Sequence, residues 1–222
     1  MMQTKLNEFS KIRGVLPWAR CNLFRNPFGE LTREERAELA ILDVRELAKH
    51  VVDLRSAVQL IGECGRGKTT RMLALKRLLP DASYVYLDED LPCCPIPYGN
   101  PLLIDEAQRL PRDVMRTLFS SGLPLILATH RDLSRQLLRF GYTVTTYPLG
   151  QSNDASFIMQ AMNRRIEASR LNPAPVPIPK LSMKDAEALR RRFGSDIRAI
   201  ESHLYEQVQK QVNSDGEMRF ID

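Results

Sequence analysis

The sequence predicts an α/β fold, a three-layer sandwich on a five-stranded parallel sheet, followed by a small three-helix domain. Three observations carry this. Short apolar runs recur at the length of buried parallel strands. The first of them leads through a glycine-rich loop into a helical pattern, in the order strand, loop, helix. After Pro148 the pattern becomes helical, interrupted by one proline-rich connector.

Composition bounds the answer. The 222 residues, 43% hydrophobic and 27% charged, suit a globular protein with a sizeable core and a small appended domain. No apolar run reaches the roughly 18 residues of a membrane span, and "MMQTKLNEFSKIRG" lacks the apolar centre of a secretion signal. The expectation is a cytoplasmic protein with no membrane partner. Cys21, Cys64, Cys93 and Cys94 have neither disulfide-framework nor zinc-ribbon spacing and read as reduced thiols. A formal charge of +5 permits a polyanionic partner, but a solvated surface plus phosphate-holding groups would account for it as well.

Along the chain, Thr32 and Glu35 have capping-box spacing, and Ala37, Ala40, Ile41, Val44 and Leu47 continue at helical spacing. "AVQLI", Ala57 to Ile61, is the first strand. It enters Gly62-Glu63-Cys64-Gly65-Arg66-Gly67-Lys68-Thr69, a full match to G-x-x-x-x-G-K-[ST], with Thr70 next. "TRMLALKRLL" then places Met72, Leu73, Leu75, Leu78 and Leu79 at helical spacing. Glycines allow backbone N–H groups to turn inward around an anion, and the helix behind adds its positive dipole end. In such a loop Lys68 reaches the β- and γ-phosphates of a nucleotide, and the Thr69 hydroxyl joins a magnesium shell.

"SYVYL" is the second strand, and the proline-rich "LDEDLPCCPIPYGN" that follows reads as an irregular insert. In the third, Leu102 to Ile104 precede Asp105 and Glu106, which delivers two carboxylates to the sheet edge where open α/β sheets bind ligands. Asp105 suits a magnesium site and Glu106 suits deprotonation of an attacking water, a role that binding alone would not need. "LPLILATHRD" is a fourth apolar strand ending in Thr129 and His130. Thr129 is placed to bond a γ-phosphate or the lytic water. For His130 two readings stand, a surface cap or a member of the site. "YTVTTY" is the fifth strand. Helical patterns follow in "SNDASFIMQAMNRRIEASRL" and "SMKDAEALRRRFGSDIRAIESHLYEQVQKQV", with Ser182 and Asp185 beginning one helix and Gly194 ending it.

These motifs in this order resemble the AAA+ ATPases, and "LLIDEAQRLP" resembles their origin-recognition, secretion-ATPase and transposition-regulator branch. The resemblance implies ATP and Mg2+ as cofactors, ATP hydrolysis, and a homo-oligomeric ring or filament with double-stranded DNA or an effector such as a transposase or nuclease as partner. It also implies a domain plan: an extension over 1–25, the ATPase core over 26–150, a helical lid over 151–212 and a loose tail over 213–222. "RNPFG" resembles the Pro-Phe segment beside the adenine, which would be Asn26, Pro27 and Phe28 here, although Phe28 reads equally as a core anchor. "LLRFG" resembles an arginine-finger segment, making Arg139 the group that reaches a neighbour's ATP; Arg131 and Arg135 compete for that task, and a solvated arginine is the plain alternative. "GSDIRAIESHL" resembles the second-sensor helix, with Arg198 reporting the γ-phosphate, although Ser195 between Gly194 and Asp196 departs from that pattern by one residue. After Val212 the sequence leaves no room for a winged-helix domain, so DNA contact is expected from the ATPase surface itself or a partner. Arg164, Arg165 and Arg190 to Arg192 are candidates for phosphate contact, or simply a solvated face. Asp88, Glu89 and Asp90 argue against DNA contact by the insert.

Overall fold

Parallel pairing decides the architecture. The computed structural model describes residues 16–41, 44–51, 53–149, 153–212 and 218–221. The chain divides into two compact units, Thr32–Ser152 and, discontinuously, Met1–Leu31 with Asn153–Asp222.

In the first unit, β1 (Ser56–Ile61), β2 (Ser83–Tyr86), β3 (Leu102–Asp105), β4 (Leu125–Thr129) and β5 (Thr143–Pro148) form one parallel sheet in the order β2-β3-β4-β1-β5. The five-stranded parallel sheet read from the sequence is thus present. The central strands β3 and β4 are buried along their whole length, as near-continuous apolar runs require, and the edge strands are half exposed. Side chains alternate between faces. Ala57, Leu102, Ile104, Leu125 and Leu127 meet Phe119 of α4 (Arg112–Ser121) and Leu137 of α5 (Ser134–Arg139). Val58, Leu60, Leu103, Ile126 and Ala128 meet Met72 and Leu75 of α3 (Lys68–Leu78) and Leu47 of α2 (Arg45–Lys49). Two apolar clusters, one per face, make the three layers.

The Thr32 capping box forms and starts α1 (Arg33–Glu38). The single helix expected to run on to Leu47 is instead two short helices, because Leu39 closes α1 on the Glu35 carbonyl and α2 begins only after Val44. Gln59, in the middle of β1, is fully buried. Its Nε2 lies 2.8 Å from Ser134 Oγ and 3.2 Å from both Asp132 Oδ1 and Thr146 Oγ1, and its Oε1 accepts the Leu133 N–H at 2.8 Å.

The second unit contains α6 (Ala155–Ala168), α7 (Met183–Phe193) and α8 (Ile197–Lys210). Asp154, Ser182 and Asp196 cap their N-termini, and Gly194, at positive φ, ends α7 as the sequence indicates. Its core joins Ile158, Met162, Ile166, Leu189, Ile200, Leu204 and Val208 to Leu23, Phe28 and Phe220 from the two ends of the chain.

That core moves two expected boundaries. Asn26 to Leu31, expected in the ATPase core, count with the helical unit. Asn26 Nδ2 donates to the Tyr205 carbonyl at 3.1 Å, and buried Arg165 donates to the carbonyls of Pro27 and Gly29 while pairing with Glu201. Arg165 is therefore an internal brace rather than an exposed phosphate contact. The loose tail expected over 213–222 is corrected at 218–221: Phe220 is 4% exposed and stacks edge-on against Phe28, and Gln211 holds Arg219 through both its N–H and its carbonyl. The rest of that tail that lies at 213–217, and the N-terminal segment 1–15, fall outside the described residues.

Truncating a buried phenylalanine costs about 3 kcal/mol or more. Phe220→Ala should therefore lower the urea midpoint of helical unfolding, whereas an unchanged midpoint would mean that the C-terminal segment does not contribute to the core.

Candidate phosphate-binding site

The loop Gly62–Gly67 is rooted on three strands. Ile61 pairs with Thr129 on one side and Pro148 on the other; the Gly62 N–H reaches the Thr129 carbonyl at 3.3 Å, and the Leu149 N–H reaches that of Ile61 at 2.6 Å. A side chain on Gly62 would have its Cβ 3.0 Å from the Leu149 carbonyl oxygen, tight enough that the backbone there would have to give way. Gly67, at φ 79°, makes the left-handed turn that launches α3, whose N-terminus is thereby set behind the loop. Arg71, one turn into that helix, donates back to the carbonyls of Arg66 and Gly67 at 3.2 and 3.3 Å, bracing the loop from behind.

Lys68 is buried at the first position of α3. Its ammonium donates to the carbonyls of Gly62 at 2.6 Å and Glu63 at 3.0 Å. Burial pushes its pKa down, opposed by Glu106, Cys64, Asp105 and Glu63. Thr69 meets Asp105 by a side-chain hydrogen bond. Thr70 follows in the same turn, half-buried, and Glu63 and Cys64 are exposed on the loop. Arg66 Nη1 is buried without a hydrogen-bond partner, a cationic donor beside the glycine cradle.

Asp105 and Glu106 are consecutive, and a regular strand would send their side chains to opposite faces. Glu106 instead adopts φ 60°, ψ 40°, a left-handed conformation costing a non-glycine residue on the order of 1 kcal/mol. Its N–H bonds Asp105 Oδ1 at 3.1 Å, and its carbonyl accepts the Arg109 N–H at 2.9 Å, which holds the turn in place. Backbone outliers of this kind gather at functional sites. Asp105 is fully buried and also accepts from the Tyr84 hydroxyl at 3.0 Å. Burial raises the pKa of that hydroxyl, and the Asp105 carboxylate raises it further.

His130 lies in this cluster. Its Nε2 lies 3.2 Å from Lys68 Nζ and 3.4 Å from Glu106 Oε2. That single nitrogen serves one of them at a time, accepting from the lysine or donating to the carboxylate according to tautomer. Thr129, read as the polar group facing the phosphate, is buried and engaged locally: its hydroxyl donates to the Arg131 carbonyl at 2.9 Å and accepts the Arg131 N–H at 3.0 Å. His130, the residue after β4, brings its side chain to Lys68. Gln108, Tyr84 and Arg71 were not read from the sequence. Tyr84 pairs with Leu103, which makes Asp105 its diagonal neighbour on the same face; that signal needs the strand register.

Arg131, Arg135 and Arg139 are exposed around α5, with Arg139 its last residue. Arg198 is exposed in the first turn of α8. Phe28 is a core anchor of the helical unit, and Asn26 Oδ1 accepts the Phe28 N–H at 3.1 Å.

The residues present fit a nucleoside triphosphate with magnesium. Glycine cradle, buried lysine and unpaired Arg66 nitrogen suit phosphate oxygens, while Thr69 with Asp105 offers the one or two protein oxygens that magnesium takes beside water and phosphate. Among the described residues no group of three or more His, Cys, Asp or Glu gathers as a metal cage. All four cysteines are free, and no helix is long and apolar enough to cross a membrane.

No protein-family model matches the chain, and a search of curated proteins finds no match. Among solved structures, the chain is similar to Cdc6p from Pyrobaculum aerophilum, with a TM-score of 0.53 and 13% identity over 87% of this chain and 67% of that one. The likeness is one of fold, and it supports the α/β sandwich on a parallel sheet read from the sequence.

Burial raises the Asp105 pKa above the ordinary aspartate value of 3.8, with the Thr69 and Tyr84 hydrogen bonds opposing the rise. Its stabilising contribution is therefore fully present below the unfolded value and is lost as pH rises through the folded one. With chelator present, Asp105→Asn should raise Tm at neutral pH, and the gain should fade as pH drops toward 3.8. Thermal melts across that range check this, and a gain that is constant with pH would contradict it.

Proposed function

We propose that the protein binds and hydrolyses ATP as a AAA+ switch or motor, working as an oligomer in a DNA-associated process such as transposition regulation, recombination or defence. One observation supports the reading above others. Lys68 and Thr69 open the helix that follows β1, and Asp105 and Glu106 lie at the end of β3, which is not the neighbour of β1, yet the four converge at one rim of the sheet beside the glycine loop. In this reading the loop and Lys68 hold the phosphates, and Thr69 and Asp105 hold magnesium, which supplies charge neutralisation when bound. Glu106 takes the proton of the attacking water, and His130 at the end of β4 contacts the terminal phosphate or that water, the role first read for Thr129. The roles that family resemblance assigns to Asn26, Pro27 and Phe28 beside the base, Arg139 as the finger offered to a neighbour, and Arg198 as reporter of the γ-phosphate belong to the same reading. With Phe28 committed to a core, any base contact by that segment falls chiefly on Asn26 and Pro27.

A second reading, a nucleotide-gated adaptor that recruits an effector without touching DNA, is favoured by the insert after β2. Leu91 and Tyr98 are exposed there beside Asp88, Glu89 and Asp90, a surface suited to a protein and unsuited to a phosphate backbone. Turnover measured with and without duplex DNA across a salt series separates the two. Stimulation that collapses with salt supports the first reading, and a rate indifferent to DNA supports the second.

Lys68→Ala should lose binding of a fluorescent ATP analogue; native affinity would remove the phosphate-loop assignment. Glu106→Gln should still bind the analogue but turn over about 10²- to 10⁴-fold more slowly, the usual range for a lost general base. Mixing Arg139→Ala chains with Glu106→Gln chains should recover part of the native turnover, because each supplies what the other lacks. Absence of recovery would argue against a site shared between subunits.

A further inference from the structure

We infer that Gln108 is a positioning residue for Glu106, fixing the orientation of its carboxylate and tying that orientation to the end of β4. The inference rests on the water-activating role proposed for Glu106. Gln108 Nε2 donates to Glu106 Oε2 at 2.6 Å, and Gln108 Oε1 accepts the His130 backbone N–H at 3.2 Å. These partners fix the amide without ambiguity, since a carboxylate needs a donor and a main-chain N–H needs an acceptor.

Two other donors face the same oxygen, His130 Nε2 at 3.4 Å and Arg109 Nη2 at 3.6 Å. Both have other attachments. The Arg109 guanidinium bonds the Leu87 carbonyl at 2.9 Å and Glu89 Oε2 at 2.8 Å, and His130 Nε2 is shared with Lys68. Among the described residues Gln108 alone makes a short side-chain bond to the carboxylate, and it does not titrate. With the donors gathered on Oε2, the other oxygen, Oε1, has no protein partner among the described residues and is left to accept a proton. The short helical turn Ala107–Arg109 that follows the left-handed Glu106 is what brings Gln108 back over the carboxylate. Because its amide is planar and held at both ends, a displacement of the His130 main chain carries over to the Glu106 side chain.

The test measures ATP turnover, binding of a non-hydrolysable ATP analogue and the pH–rate profile on the full chain. Gln108→Ala is expected to lower kcat about 10- to 100-fold while KM and analogue affinity stay within about twofold, as for a reacting group displaced by roughly an ångström. Gln108→Glu keeps the acceptor for the His130 N–H but sets a second carboxylate against Oε2, so the acid limb of the profile should move up by about one pH unit or more. In a Glu106→Gln background, Gln108→Ala should bring no further loss. A native kcat for Gln108→Ala, or an unmoved acid limb for Gln108→Glu, overturns the inference; if Glu106→Gln is slow in the same experiment, the proposed function still holds. Hydrolysis at the native rate by Glu106→Gln overturns both.

Discussion

Everything at the site depends on β1, β4 and β3 running parallel in near-level register, Ala57 and Leu102 both opposite Leu125. Because the three strands start level, their C-terminal ends arrive together, and every residue that follows a strand end meets the others there. The glycine loop follows β1, Asp105 and Glu106 complete or follow β3, and Thr129 and His130 complete or follow β4. Had β4 been antiparallel, His130 would lie at the opposite rim from Lys68. Hydrophobic burial on both faces fixes that register, since a slip of one residue would exchange the two apolar clusters.

Much of this was legible in the sequence, for a local reason. The strand, loop and helix around Lys68 occupy consecutive residues, and the glycines, lysine and threonine each answer a requirement within the same turn. Asp105 and Glu106 stand directly after three apolar residues, so their place at a strand end follows from pattern alone. The helix caps at Thr32 and Ser182 are also local, and both form. Tyr84 and Gln108 were not legible, and His130 was legible only as one of two readings. Their roles depend on which way a pleat turns, on which residue pairs with which, and on a left-handed residue at Glu106 that periodicity does not reveal.

The helical unit shows the same limit at longer range. Leu23, Phe28 and Phe220 stand in apolar stretches too short to show a period, Leu23 beside Phe24 and Phe220 beside Ile221. They are buried because a three-helix layer has a second apolar side to cover, and the two ends of the chain cover it. Arg165 shows how that cover is secured: its guanidinium satisfies the Pro27 and Gly29 carbonyls, which burial would otherwise leave unpaired. In the sequence it is one of a pair of adjacent arginines, with nothing to separate it from a solvated one.

Gln59 has a mechanical consequence. A fully buried polar side chain inside a strand is costly unless every donor and acceptor is met, and here they are met by the junction into α5 and by β5. The amide works as a rivet through the sheet. The stem of α5 cannot swing away from β1 without stranding those groups in an apolar interior, so force applied to the exposed arginines along that helix arrives at the root of the glycine loop as motion of a stiff lever.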